Sequence, residues 1–239
     1  MAPISIQERG LLEMKIIFIR HGHPNYEDDC LTEVGHKQAE AAAERLAEEK
    51  IDKFYASSCG RAYETACHVA KRHNMDVEKL DFMREISWGK PGDTDDYLHP
   101  WFLVNGWVKD GKPIMNLDWQ NDTDYVGRTV VNSFNFVSES FDKWLSGLGY
   151  EREGDYYRVT RENNDTILLA SHGGSSSVVF SHIFNMPFSF VCHAICPGFT
   201  AITEVNISGE VGELTAPRFE LVNDIGHIKN LAGENYYNN

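Results

Sequence analysis

The sequence is short of positive charge. Its 22 lysines and arginines face 36 aspartates and glutamates, for a formal net charge of −14, and the basic residues gather into no tail or cluster. Nucleic acids and anionic membranes are held by cations that displace counterions, so neither is expected as a main partner. Long apolar runs are missing too, since no stretch approaches the roughly 18 uninterrupted apolar residues of a membrane-spanning helix. The first 13 residues include Glu8, Arg9 and Glu13 and have no apolar centre, so no secretory signal is expected there. Cysteine is scarce and odd in number, with five residues and no regular framework, which points to a reducing, cytoplasmic setting. Proline, glycine and serine never accumulate into a linker, and no segment repeats. The expected organisation is a loose extension over 1–13 and a single domain over 14–239.

What is present is an alternation of strands and helices. Ile16-Ile17-Phe18-Ile19 is a continuous apolar run rich in β-branched residues, the pattern of a strand covered on both faces. A helix follows, with Thr32 as N-cap and Val34, Ala39, Ala42, Ala43 and Leu46 on one face. Lys53 to Ala56 reads as a second strand, and Ala62, Ala66, Val69 and Ala70 form a second helical stripe. Thr166 to Ala170 is another apolar strand, and Val178, Val179, His182 and Ile183 lie on the helix behind it. A long amphipathic helix is expected from Val126 through Val130, Phe134, Val137, Phe141 and Leu145 to Leu148. Phe199, Ala201, Thr203 and Val205 alternate as a strand that Arg218 to Val222 can join. This order predicts a mostly parallel sheet with helices on both sides. Residues 86–121 break the alternation. They hold Pro91, Pro100, Pro113 and four of the five tryptophans, and are expected to form an insertion above the sheet.

Reactive groups in an open parallel sheet collect where strands end and helices begin. Three such ends carry unusual residues: Arg20-His21-Gly22, Ser57-Ser58-Cys59-Gly60-Arg61 and His172-Gly173-Gly174. On neighbouring strands they bring two arginines and two histidines beside helix N-termini, whose free N–H groups favour anions. A tetrahedral phosphate suits that cluster, because guanidinium forks match its oxygens. His21-Gly22-His23 also spells a possible start of a metal site, but Arg20 beside it disfavours a divalent cation. Cys192-His193 and Cys196 lack a second pair at zinc-like spacing and read as structural cysteines.

These segments resemble the histidine phosphatase superfamily, also called phosphoglycerate-mutase-like, over about residues 14–223. The Arg20-His21-Gly22 triplet is the most specific part. Leu31-Thr32-Glu33-Val34-Gly35, Gly60-Arg61-Ala62-Tyr63-Glu64-Thr65-Ala66, Arg84-Glu85-Ile86 with Gly89, and Ser171-His172-Gly173-Gly174 follow in family order. The resemblance implies a three-layer α/β/α sandwich with a mostly parallel central sheet and an inserted lid around 86–121. It also implies roles: His21 as nucleophile, Arg20, Arg61, His172 and Gly173 around the phosphate, and Glu85 as general acid and then base. Asp28, Asp29, Asp93, Asp95 and Asp96 are competitors for the acid role. His23, Trp88 and Trp101 are candidates for the substrate pocket. Trp107 and Trp119 share with them a second reading, a small satellite core that holds the insertion down.

The acid phosphatase branch carries an Arg-His-Gly-x-Arg-x-Pro motif and a His-Asp pair. Here His23-Pro24 follows Gly22 and Gly173 follows His172, so the resemblance is to the mutase-side branch. Phosphoglycerate mutases usually place an arginine after the acid, where this chain has Ile86. Residues 86–125 hold three lysines against seven aspartates, 3 − 7 = −4, a poor setting for a bisphosphate. A metal-independent phosphatase acting on a small phosphorylated metabolite, without cofactor, is therefore expected. A phosphomutase, a phosphoprotein or phosphohistidine phosphatase, and a catalytically silent phosphate-binding protein are the alternatives. Oligomeric state has no signature in the sequence.

Overall fold

In the computed structural model, which describes residues 13–90, 99–229 and 231, the first apolar run is a strand that serves two cores. β1 spans Glu13–Arg20. Ile16 and Phe18 join one buried cluster, while Ile17 and Ile19 join another on the opposite face. Alternate side chains of a strand point to opposite faces, so only an unbroken apolar run can serve both.

Two-residue strands β2 (Pro24–Asn25) and β3 (Cys30–Leu31) make a short hairpin, followed by α1 (Glu33–Arg45), β4 (Lys53–Ser57), α2 (Gly60–His73) and β5 (Glu78–Leu80). After α3 (Pro100–Lys109) and α4 (Thr129–Leu148) come the hairpin strands β6 (Tyr150–Glu153) and β7 (Tyr156–Val159). The chain continues with β8 (Thr166–Ser171), α5 (Gly173–Ile183), α6 (Phe188–Ala194), β9 (Ile202–Ser208), β10 (Leu214–Thr215) and β11 (Arg218–Asp224). The central sheet has the order β11-β9-β1-β8-β4-β5. β1, β8, β4 and β5 run parallel, and β9 is antiparallel to both of its neighbours. Ala42, Ala43 and Leu46 of α1 and Ala66, Val69 and Ala70 of α2 cover one face. Phe134, Val137, Phe141 and Leu145 of α4 and Val178, Val179 and Ile183 of α5 cover the other. The architecture is the three-layer α/β/α sandwich implied by the resemblance.

Several boundaries differ from expectation. β1 begins at Glu13, whose backbone N–H donates to Asn164 Oδ1 and which faces Ser208 in the β1–β9 register. The proposed extension therefore loses its last residue to the sheet, and residues 1–12 lie outside the described ones. α4 starts at Thr129, because Val126 is held in a preceding turn by its N–H bond to Asp122 and is exposed. β9 starts at Ile202, since Thr200 adopts a left-handed backbone (φ 52°) that no strand tolerates.

The insertion is more ordered than its lack of period suggests. Residues 91–98, including Asp93, Asp95 and Asp96, lie outside the described ones. The remainder folds as α3, started by Pro100 in its first turn, and a single turn at Trp119–Asn121. Trp88, Trp107 and Trp119 are buried in the same cluster as Ile16 and Phe18. The satellite-core reading needs correction: this is an extension of the main core. The acidic character of the segment is also partly compensated, since Lys112 bonds both Asp122 and Asp124 at 2.7 Å.

Candidate active site

β1, β8 and β4 end nearly level, with Arg20 opposite Ser171 and Ala56 opposite Ala170. The next residues of each strand therefore emerge together, and the motifs meet at the C-terminal ends of these interior strands. Two glycines make room for the first of them. A Cβ on Gly22 would fall 2.6 Å from the Gly35 carbonyl oxygen, and one on Gly35 would fall 2.2 Å from that of His23. The Arg-His-Gly turn and the first turn of α1 are in backbone contact that no side chain would permit. Thr32 caps α1 by accepting the Gly35 N–H, and its hydroxyl donates to the His23 carbonyl.

His21 is buried, and its Nδ1 lies 2.7 Å from the Gly22 carbonyl oxygen. A carbonyl only accepts, so Nδ1 carries the proton and Nε2 keeps its lone pair. Burial first, and then the Arg20 guanidinium, holds the ring well below the usual imidazole range. The ring is therefore held neutral at physiological pH. The His172 ring lies 5.1 Å away, centroid to centroid. It is fully buried, its Nε2 is 2.8 Å from Ser57 Oγ, and burial followed by the neighbouring His21 lowers its pKa as well.

Arg20 donates through Nη1 to the Pro197 carbonyl at 2.8 Å, and its guanidinium lies 4.4 Å from the centroid of the Phe199 ring. Arg61, in the first turn of α2, pairs with Asp29. The Thr65 hydroxyl one turn on accepts the Gly22 N–H and donates to the Arg61 carbonyl, which ties the two motifs together. Glu85 comes from the loop after β5 and lies against the start of α5. Its carboxyl accepts the N–H groups of Ile86 (3.0 Å), Ser175 (3.2 Å) and Gly174 (3.4 Å). Burial raises its pKa and outweighs the opposing pull of the Ile86 N–H and of Arg20. A carboxyl of this kind stays protonated to higher pH than an exposed one, as a general acid requires.

The remaining expected residues divide. Gly173 is the first residue of α5 beside Arg20, and Trp101 reaches it from the insertion. Trp88 packs edge-on against Trp101, with ring centroids 4.9 Å apart. Trp107 and Trp119 instead pack around Tyr125. His23 is partly buried, with Nδ1 2.9 Å from Thr32 Oγ1 and its ring against Phe199. Neither described acid competitor is placed like Glu85: Asp28 accepts from Asn25 Nδ2, and Asp29 is engaged with Arg61. Among the described residues no group of three or more His, Cys, Asp or Glu could hold a metal ion. All five cysteines carry free thiols, and Cys192 is buried in α6. No helix among the described residues is long and apolar enough to cross a membrane.

Sequence reasoning gave no role to Ser57, Thr65, Phe199 or Arg84. Thr65 lies within a quoted motif, but its two-way hydrogen bond depends on the turn geometry. Phe199 was read as a strand residue. Arg84 adds to the positive field at His172 and donates to Ser58 Oγ.

Two histidines and two arginines at the ends of parallel strands, with a buried carboxyl against a helix start, define an anion site suited to phosphoryl transfer. Residues 16–96 match the family model of the histidine phosphatase superfamily, branch 1. That stretch, about a third of the chain, is the part similar to the superfamily, and it holds Arg20, His21, Arg61 and Glu85. It is 34% identical over 85 residues to phosphoserine phosphatase 1 of Hydrogenobacter thermophilus, covering 32% of this chain and 40% of that protein. It is 39% identical over 88 residues to the 2,3-bisphosphoglycerate-dependent phosphoglycerate mutase of Thermoplasma acidophilum, covering 32% and 44%. Both matches therefore span less than half of the relatives' length. The fold is also similar to that of a phosphoserine phosphatase from Entamoeba histolytica, with a TM-score of 0.62, 21% identity, and coverage of 90% of this chain and 99% of the other.

Proposed function

We propose that the protein hydrolyses phosphomonoesters of small metabolites without a metal, through a phosphohistidine on His21. His21 Nε2 attacks phosphorus, the N–P bond forms, and the ester P–O bond breaks. Glu85 gives its proton to the departing alkoxide, leaving as the free alcohol. Arg20, Arg61 and His172 offset charge on the non-bridging oxygens. A water then attacks phosphorus and gives a proton to Glu85, the N–P bond breaks with its electron pair returning to His21 Nε2, and orthophosphate is released with both residues restored. The observation that carries this reading is the state of His21: buried, neutral, protonated on Nδ1, with Arg20 and Arg61 both near enough to perturb its titration.

The similarity to a mutase keeps phosphoryl transfer between two positions of a substrate as the second reading. Ile86 speaks against it. It follows the acid and is buried in the main core, so it offers no grip for a second anionic group. The test is hydrolysis of p-nitrophenyl phosphate in EDTA by wild type and His21→Ala. Turnover by the wild type and a loss of at least about a thousandfold in the variant is the expected result. Comparable rates would remove His21 as nucleophile, and no turnover by either would favour a mutase or a binding protein.

A further inference from the structure

We infer that Asp29 restricts this site to phosphomonoesters lacking a second anionic group, an inference that rests on the phosphatase reading above. Asp29 occupies the turn between β2 and β3 in a left-handed conformation (φ 50°), which asparagine and aspartate tolerate better than other side-chain-bearing residues. That conformation turns its carboxylate onto two donors of the site. Oδ1 lies 2.5 Å from Arg61 Nη1, and Oδ2 accepts the Gly60 N–H at 2.7 Å, at the first residue of α2.

The consequence is electrostatic. Arg61 is buried, while the Asp29 side chain is 41% exposed. The pair therefore presents its positive end to the phosphate position and its negative end to solvent. Glu27 and Asp28 in the same turn are exposed, and Tyr26 is exposed within 5.3 Å of the Arg61 guanidinium. A carboxylate or second phosphate on the organic half of a substrate would meet this rim. Arg61 is itself engaged by Asp29, and Arg84 donates to Ser58 Oγ. Two like charges roughly 6 Å apart in a half-solvated site disfavour binding by about tenfold. A substrate with a neutral or cationic organic half escapes that cost. The selectivity thus lies in the β2–β3 turn, and the described part of the acidic insertion contributes less because Lys112 offsets two of its aspartates.

The test compares glycerol 3-phosphate with 3-phosphoglycerate, which differ by one carboxylate, in a phosphate-release assay. The ratio of their kcat/KM values is measured for wild type, Asp29→Asn and Asp29→Ser. A ratio taken within one preparation is independent of the fraction folded, so it survives a variant that folds poorly. Asparagine keeps an acceptor for the Gly60 N–H and removes the charge. The wild type is expected to favour glycerol 3-phosphate by about tenfold, and both variants to narrow the gap to about twofold. Release from both esters with an unchanged ratio overturns the role of Asp29 and leaves the phosphatase reading standing. No release from either ester by the wild type overturns that reading, and the inference with it.

Discussion

The proton that His21 gives to the Gly22 carbonyl, across 2.7 Å, is the one it must keep for Nε2 to act as nucleophile. Protonation of Nε2 would place a cation in a buried site next to Arg20. The same holds for His172 beside Arg61, and both rings are held well below their ordinary pKa. In the unfolded chain both titrate near about 6.5. Between that value and the lower folded one, the unfolded state binds more protons, so stability rises with pH and is lost as pH falls below about 6.5. Each histidine contributes up to roughly 1.4 kcal/mol per pH unit in that window. Denaturant titrations from pH 7 to 5 should show this slope, reduced in His21→Asn and in His172→Asn. An undiminished slope in both variants would place the acid sensitivity elsewhere.

Glu85 titrates in the other sense. Its raised pKa keeps it protonated through the acid range, and activity should fall as pH climbs past that value and the acid is lost. Glu85→Gln should flatten this alkaline limb. It should slow hydrolysis of alkyl phosphates by about a hundredfold or more, while p-nitrophenyl phosphate, whose leaving group scarcely needs a proton, loses less than about tenfold. Equal losses on both esters would move the acid to another residue.

The parts of the site that were legible in the sequence are those set by local rules. The run Ile16–Ile19 could only be a doubly covered strand, and the Thr32 cap is where α1 begins. The residues missed are those whose roles depend on a tertiary partner. Asp29 appeared only as one more acid near the site, because nothing local shows that a left-handed turn aims it at α2. The tryptophans were ambiguous for the same reason. One pair lies beside the start of α5 and the other around Tyr125, and only packing separates them.

Trp101 carries that distinction into function. Its ring stacks on His99 with planes 5° apart and reaches within 3.8 Å of where a Cβ on Gly173 would lie. An indole offers an apolar face and no cation, so the role expected for Trp101 is contact with the organic half of a substrate rather than with phosphate. Trp101→Ala should change the relative kcat/KM of aromatic and alkyl esters by about tenfold, with competitive inhibition by orthophosphate altered by less than about threefold. The reverse pattern would make Trp101 part of the phosphate pocket.

The two glycines after His172 look equivalent in the sequence, but the structure separates them. A Cβ on Gly173 would sit 3.6 Å from the Arg20 guanidinium, an ordinary contact. On Gly174 it would fall 2.2 Å from Trp88 and 2.5 Å from Glu85 Oε1. Trp88 is buried in the main core and cannot retreat without opening a void, while Glu85 is held by the N–H groups of Gly174 and Ser175. The added methyl therefore strains the core and pushes the acid off its donors together. Gly174→Ala should cost about 1–3 kcal/mol in stability by denaturant titration. It should also reduce turnover of alkyl phosphates more than that of p-nitrophenyl phosphate, as Glu85→Gln does. Gly173→Ala, at the first residue of α5 where alanine favours the helix, should stay within about 1 kcal/mol of wild type. Equal destabilisation by the two substitutions would mean that close packing of Trp88 and Glu85 on Gly174 is not what requires glycine there.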